Sequence, residues 1–146
     1  MDLLKQLEKE TQSLDFPKTV EAAVKFLRKQ VKHYNWVGIY MLESEELVLR
    51  AWDGPEATEH VRISVGAGIC GLAARERRTV MVGDVNADPR YLACFPYTHS
   101  EIVVPIFKNR KVIGEIDIDS DTLHAFAEKD RSFLEQVAHF LGTKHR

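Results

Sequence analysis

The chain has 146 residues, of which 45% are hydrophobic and 29% charged, which is enough for one core but little for two domains. Its formal net charge of −2 produces no electrostatic field that would attract nucleic acid or an anionic membrane. No run approaches the roughly 20 apolar residues of a membrane span, and the charged start MDLLKQLEKE is unlike a signal peptide. We therefore expect one domain over residues 1–146, in a soluble, cytoplasmic protein.

The predicted elements begin and end with helices. Residues 2–13 are predicted to be helical, and after the start signal Asp15-Phe16-Pro17 the apolar residues up to Val31 recur at helical spacing. We expect these N-terminal helices, within residues 2–33, to pack on a sheet. Their apolar faces either serve the core alone or add the seam of a homodimer. A last helix is predicted after Phe126-Ala127-Glu128.

Six short segments between the helices are rich in β-branched and aromatic residues, which is typical of strands. They are residues 36–42, 46–52, 60–64, 79–82, 101–107 and 112–119. Among them, residues 68–77 are predicted to form a short helix and residues 86–100 a long connection. This order predicts an α+β domain, with an antiparallel sheet that has the terminal helices on one face and loops on the other. We expect the functional site on the loop face.

The last predicted strand carries three acidic residues, Glu115, Asp117 and Asp119, which alternate with isoleucines. Because side chains alternate along a strand, the three carboxyl groups share one face. An antiparallel sheet with one solvated face has the same pattern. The acids therefore belong either to an exposed face or to a binding site.

The hairpin that contains these acids favours a binding site. A three-residue connection, 108–110, would pair Phe107 with Lys111. It would then place Glu101 directly opposite Asp117, whereas a two-residue loop would turn Glu101 to the other face. Clustered carboxylates raise one another's pKa. Such a cluster can bind an ammonium group, act as a general acid or hold a hard cation, although the spacing is unlike a calcium loop.

Two cysteines, Cys70 and Cys94, are too few for a disulfide scaffold and lack the spacing of a structural zinc site. Cys94 lies in the long connection, where it is either a small buried hydrophobe or a reactive thiol whose pKa a nearby His60 or His99 lowers. Cys70 begins the predicted short helix and has the same two interpretations, since helix N-termini favour thiolates.

An aromatic pattern marks the first predicted strand. Trp36, Gly38 and Tyr40 share one face. A glycine between two aromatic residues leaves a recess, which serves core packing or admits a ligand or another backbone. With an acidic cluster and a thiol, this recess would suit a small zwitterion with an apolar tail, such as an amino acid.

Four consecutive motifs resemble those of the GAF domain family and are most similar to its free methionine-(R)-sulfoxide reductase branch. The motifs are NWVGIYML, VGAGICGLAA, YLAC followed by SEIVVPI, and VIGEIDIDS. The resemblance implies a central antiparallel sheet flanked by helices, with the ligand enclosed under long loops. It also implies thiol-dependent reduction of free methionine-(R)-sulfoxide. A noncatalytic module of the family that binds a small molecule is the alternative.

The resemblance further implies roles for single residues. Cys94 matches the catalytic thiol. Trp36 and Tyr40 match the aromatic side of the substrate pocket. Three acids, Glu101, Asp117 and Asp119, match the carboxylates that hold the amine and the sulfoxide of the substrate. One of them, in its protonated form, would protonate the departing oxygen.

The recycling of Cys94 is where the sequence departs from the family. The usual resolving cysteine is replaced by His60, and Phe95 stands where members often have an acidic residue. Cys70 matches a further family cysteine. We expect no bound cofactor and no metal. The resemblance implies an external reductant, thioredoxin or a small thiol, with either Cys70 or that reductant resolving the oxidised Cys94.

Overall fold

A computed structural model of the chain, which describes residues 2–93 and 95–146, contains a six-stranded sheet and four α-helices in that part of the chain. The helices are α1 (Leu3–Glu10), α2 (Phe16–Gln30), α3 (Gly68–Glu76) and α4 (Glu128–Lys144). The strands are β1 (Trp36–Glu43), β2 (Glu46–Asp53), β3 (Arg62–Ser64), β4 (Val80–Val82), β5 (Ser100–Lys108) and β6 (Lys111–Ser120). The predicted α+β class is confirmed, and a short 3-10 helix, Val85–Ala87, lies in the long connection. Among the described residues, no helix combines the length and apolar character that crossing a membrane requires.

The two N-terminal helices begin at aspartate caps. The side chain of Asp2 accepts a hydrogen bond from the N–H of Leu4, at 2.8 Å. The side chain of Asp15 accepts one from the N–H of Lys18, at 3.0 Å, with a proline in the first turn of α2. Each cap satisfies a backbone donor that the helix itself leaves unpaired. The start signal read from the sequence is therefore the one that the structure uses.

The sheet is antiparallel throughout, with the strand order β3-β2-β1-β6-β5-β4. The central position of β1 and β6 brings the aromatic and acidic patterns together. The cross-strand pairs are Trp36 with Asp119, Gly38 with Asp117 and Tyr40 with Glu115. Directly opposed residues point to the same side of a sheet. The aromatic and acidic side chains therefore share one face.

Each face of the sheet has its own core. On one face, Ile116 and Ile118 pack with residues of the terminal helices, including Leu27 and Leu141. This confirms the predicted position of those helices. On the other face, a second core joins Trp36 and Tyr40 of β1 to residues of α3 and of the long connection. The second core is the one that carries the acids.

The connection between β5 and β6 is shorter than predicted. Asn109 and Arg110 form a two-residue turn, and both have positive φ angles, 51° and 66°, as tight hairpin turns require. The predicted pairing of Phe107 with Lys111 is wrong, because Phe107 pairs with Val112.

A bulge in β6 compensates for the shorter turn. Ile106 pairs with Gly114, so β6 has one extra residue between this pair and the turn. The extra residue returns Glu101 to the acidic face, where it lies opposite Asp119 and not opposite Asp117. The predicted register is therefore wrong, but the carboxyl groups still share a face.

Candidate active site

Four acidic side chains of the second core are buried. Glu101, Glu115, Asp117 and Asp119 are each at most 4% exposed. The acids are therefore not on a solvated face, because α3 and the loops cover this side of the sheet. Charged side chains are almost never fully buried unless they have partners or a function.

Glu101 joins the acids of β6 into one network. Its side chain is hydrogen-bonded to both Asp117 and Asp119. Two carboxyl groups can form a hydrogen bond only when one of them carries a proton, because ionised carboxylates are acceptors. Thr98 adds a donor, since its Oγ1 lies 3.3 Å from Oδ2 of Asp119. The network therefore holds at least one proton on a carboxyl group.

Burial sets the acidity of the cluster. It raises the pKa of Glu115 and of Asp119 well above the usual carboxyl range, and the charge of Asp117 raises both further. Burial also raises the pKa of Asp117, against the hydrogen bonds from Glu101 and Cys70, which lower it. Carboxyl groups with raised pKa values supply a general acid close to neutral pH.

Several carboxyl oxygens of the cluster have no hydrogen-bond partner among residues 2–93 and 95–146. Two of them are Oδ1 of Asp117 and Oδ1 of Asp119. An unsatisfied buried oxygen costs about 1–3 kcal/mol. A ligand that brings donors, such as an ammonium group, would remove that cost.

Cys70 lies beside this network. It is the third residue of α3, is 5% exposed, and its Sγ and the carboxyl oxygens of Glu101 and Asp117 all lie within 4.8 Å of one another. The helix begins at Gly68, whose φ of +66° is readily adopted by glycine. The structure therefore brings the predicted residues Cys70, Glu101 and Asp117 together.

The space between these residues is small. A cavity of about 10 Å³ is lined by Ile63, Gly68, Ile69, Cys70, Leu92, Glu101 and Asp117. This is room for about one water molecule and far less than the volume of an amino acid. A larger ligand therefore requires residues that cover the cavity, including Leu92 of the long connection, to move.

The recess predicted beside Gly38 is filled by Trp36. A Cβ atom on Gly38 would lie 2.5 Å from two ring atoms of Trp36, and one on Gly54 would lie 2.3 Å from the same indole. The indole therefore lies against both glycines, and the recess serves packing. Its Nε1 donates a hydrogen bond to the carbonyl oxygen of Glu56, at 3.1 Å.

The aromatic side chains of β1 face the loops that cover the acids. Trp36 packs against Phe95, with ring centroids 5.7 Å apart. The hydroxyl of Tyr40 donates a hydrogen bond to the carbonyl oxygen of His60, at 2.8 Å. Both predicted aromatic residues therefore contact the covering loops and are themselves at most 1% exposed.

The two residues that flank position 94 contact other parts of the candidate site. Nε2 of His60 lies 2.9 Å from the carbonyl oxygen of Ala93, and Phe95 is 5% exposed. At the end of the segment, the N–H of His99 donates to the carbonyl oxygen of Ser120, at 2.8 Å. Cys94 itself lies outside the described residues, so its activation by His60 or His99 stays a prediction.

Sequence reasoning missed two kinds of residue. Thr98, which donates to Asp119, lies in an irregular segment where no periodicity assigns a direction to a side chain. Ile63 and Leu92 line the cavity but are ordinary apolar residues in the sequence. Their proximity to the acids depends on how the loops fold back over the sheet.

The fold and the site define an α+β domain with a buried polar site between one face of its sheet and α3. The family model described as GAF domain matches residues 15–144, and the chain belongs to the GAF domain family.

Comparison with individual proteins gives further similarities. The chain is 40% identical over 114 residues to GAF domain-containing protein A of Dictyostelium discoideum, covering 77% of this chain and 71% of the relative. It is 40% identical to the type II free methionine-R-sulfoxide reductase of Thermoplasma acidophilum, with a TM-score of 0.83 and coverage of 98% and 94%. The free methionine-R-sulfoxide reductase of Neisseria meningitidis, solved in complex with its substrate, is 36% identical, with a TM-score of 0.91 and coverage of 97% and 85%.

Proposed function

We propose that this chain reduces free methionine-(R)-sulfoxide to methionine, with the thiol of Cys94 as the nucleophile. The observation that carries the proposal is the buried, partly protonated carboxyl network of Glu101, Asp117 and Asp119 under α3. The similarity to free methionine-R-sulfoxide reductases supports it.

The carboxyl network suits the two polar ends of this substrate. The free Oδ1 atoms of Asp117 and Asp119 would accept hydrogen bonds from the ammonium group, and a charged pair in a buried site is strong. A protonated carboxyl group of the network would donate to the sulfoxide oxygen. Trp36 and Tyr40 would bound the apolar part of the substrate.

The chemical step transfers an oxygen atom from the substrate to the thiol. The Cys94 thiolate attacks the sulfoxide sulfur, and Glu101 or the Asp117/Asp119 pair protonates the departing oxygen. The bond between the substrate sulfur and the oxygen breaks, and the oxygen bonds to the Cys94 sulfur as the bond between the two sulfur atoms breaks. Methionine leaves in the reduced form, and Cys94 becomes a sulfenic acid. The raised pKa values of Asp117 and Asp119 keep a proton available for this step near neutral pH.

A second thiol must then regenerate Cys94. We assign this role to Cys70, because it lines the cavity and its Sγ lies within 4.8 Å of carboxyl oxygens of Glu101 and Asp117. The Cys70 thiol attacks the sulfenic sulfur, water leaves, and a disulfide forms. Thioredoxin or a small thiol would reduce that disulfide and restore both cysteines.

The test is an assay of the full chain with dithiothreitol and each diastereomer of free methionine sulfoxide. We expect methionine from the R form and none from Cys94→Ser, whose folding is checked by thermal unfolding. No methionine from the wild type, or unchanged production by folded Cys94→Ser, would contradict the proposal.

A noncatalytic GAF module that binds a small molecule is the second candidate. His60 at the position of the usual resolving cysteine favours it. The same assay separates the two functions, because a binding module would bind free methionine or its sulfoxide without turning it over.

A further inference from the structure

The cavity under α3 has the size and the ligand types of a site for one metal ion. Its volume is about 10 Å³, and its polar lining consists of Cys70, Glu101 and Asp117. One ligand atom of each residue lies within 4.8 Å of the others. A single ion fits this volume without movement of the covering residues, whereas an amino acid requires that movement.

Asp117 provides an independent indication that the cavity receives a ligand. The residue is 1% exposed and lines the cavity. Its Oδ1 has no hydrogen-bond partner within the described part of the chain. A buried carboxyl oxygen without a donor is satisfied when a cation coordinates it.

The ligand set indicates which ion fits. A thiolate favours soft or borderline ions, and carboxylate oxygens are common additional ligands of zinc. Zn–S and Zn–O bonds of about 2.3 and 2.1 Å place tetrahedral ligand atoms about 3.5 Å apart. The three side chains would therefore need to approach one another by at most about 1.3 Å.

We propose that Cys70, Glu101 and Asp117 bind one Zn²⁺ ion in this cavity, with water or another protein atom as the fourth ligand. On binding, the Cys70 thiol and any protonated carboxyl ligand release their protons to the solvent. The ion then balances most of the negative charge of one thiolate and two carboxylates.

Bound zinc would have a consequence for the site as a whole. The ion would occupy two carboxylates that bind the substrate and the thiol that resolves Cys94, so zinc and turnover would exclude each other. This consequence depends on the proposed function, whereas zinc binding itself does not.

The test uses Cd²⁺ as a spectroscopic substitute for Zn²⁺, with the reduced full chain and no substrate. We expect an ultraviolet thiolate-to-metal band that saturates at one ion per chain and disappears on addition of Zn²⁺. The band should be absent in Cys70→Ser and present in Cys94→Ser. A band that requires Cys94 and not Cys70, or no saturable band at all, would overturn the proposal.

The carboxylate ligands are tested by titrating variants that keep both cysteines. Asp117→Asn and Glu101→Gln should each weaken Cd²⁺ binding about tenfold or more, since changes around metal sites cost affinities of this order. Asp121→Asn, an exposed acid just after β6, is the matched control and should bind like the wild type. Equal affinity in the wild type, Asp117→Asn and Glu101→Gln would overturn the assignment of these ligands.

Discussion

Glu101 lies directly opposite Asp119 across the β5–β6 pair, and both side chains are buried. Two like charges in this position would repel each other. The hydrogen bond between them requires a shared proton, which removes one of the charges. The native state of this domain therefore holds protons on buried carboxyl groups that an unfolded chain would have lost at neutral pH.

The first prediction concerns how stability depends on pH. Burial raises the pKa of Glu115 in the native state, whereas the unfolded chain has the ordinary Glu pKa of about 4.3. At a pH between these two pKa values, the unfolded state has released this proton and the native state keeps it. The free energy of unfolding should therefore fall as the pH rises through that window. Glu115→Gln removes this contribution, and urea unfolding should show a gain of about 1–3 kcal/mol at pH 8 that vanishes near pH 4.

An exposed glutamate provides the control for this experiment. Glu21 lies on the surface of α2, and Glu21→Gln should show no comparable dependence on pH. The difference in free energy of unfolding between Glu115→Gln and the wild type should change with pH. The same difference at pH 4 and at pH 8 would mean that the native state does not hold this proton.

The second prediction concerns the close contact between Trp36 and Gly38. A Cβ on Gly38 would lie 2.5 Å from the indole, so Gly38→Ala should displace the ring. We expect a loss of about 1–3 kcal/mol in the free energy of unfolding and a shift in tryptophan fluorescence. Gly66→Ala is the matched control, because its added Cβ would meet only Ser64 Oγ at 3.5 Å. Equal effects of the two substitutions would mean that the indole does not need the space over Gly38.

Some features of the fold and the site could be predicted from the sequence, and others could not. The periodicity of α2 and the alternation of Glu115, Asp117 and Asp119 depend on local geometry, and both patterns are found in the structure. The bulge in β6 adjoins Gly114, and a glycine within a strand is compatible with a bulge without specifying one. It was not predicted, and it is the reason why Glu101 faces Asp119 despite a two-residue turn.

Burial of the acids could not be inferred from the alternation alone. The same pattern occurs on solvated sheets, and the difference lies in α3 and the loops that cover this face. Likewise, the sequence places Gly38 between two aromatic residues, but it does not give the side-chain torsions that lay the Trp36 indole over it. Both features depend on contacts between distant parts of the chain.

The third prediction concerns binding. Removing the charge of Asp117 in Asp117→Asn should weaken the binding of free methionine, measured by calorimetry with the reduced protein. We expect a loss of about 2 kcal/mol, or roughly 30-fold, because a charge-assisted hydrogen bond in a buried site is lost. Asp121→Asn, whose side chain is exposed, should bind methionine normally. Unchanged affinity in Asp117→Asn would remove the carboxylate network from the ligand site.

The fourth prediction concerns the resolving thiol. With thioredoxin as the reductant, Cys70→Ser should turn over much more slowly than the wild type, while its first turnover remains intact. Mass spectrometry of the wild type after one turnover should show a Cys70–Cys94 disulfide that is absent from the variant. A wild-type rate in Cys70→Ser would instead assign the resolving step to the external thiol.

A single turnover without external reductant tests the proposed reaction most directly. The fully reduced chain is mixed with excess free methionine-(R)-sulfoxide, and the methionine released is measured together with the loss of free thiols. We predict one methionine per chain from the wild type and from Cys70→Ser, and none from folded Cys94→Ser. Release of no methionine by the wild type, or an equal amount by Cys94→Ser, would contradict thiol-based reduction at this site.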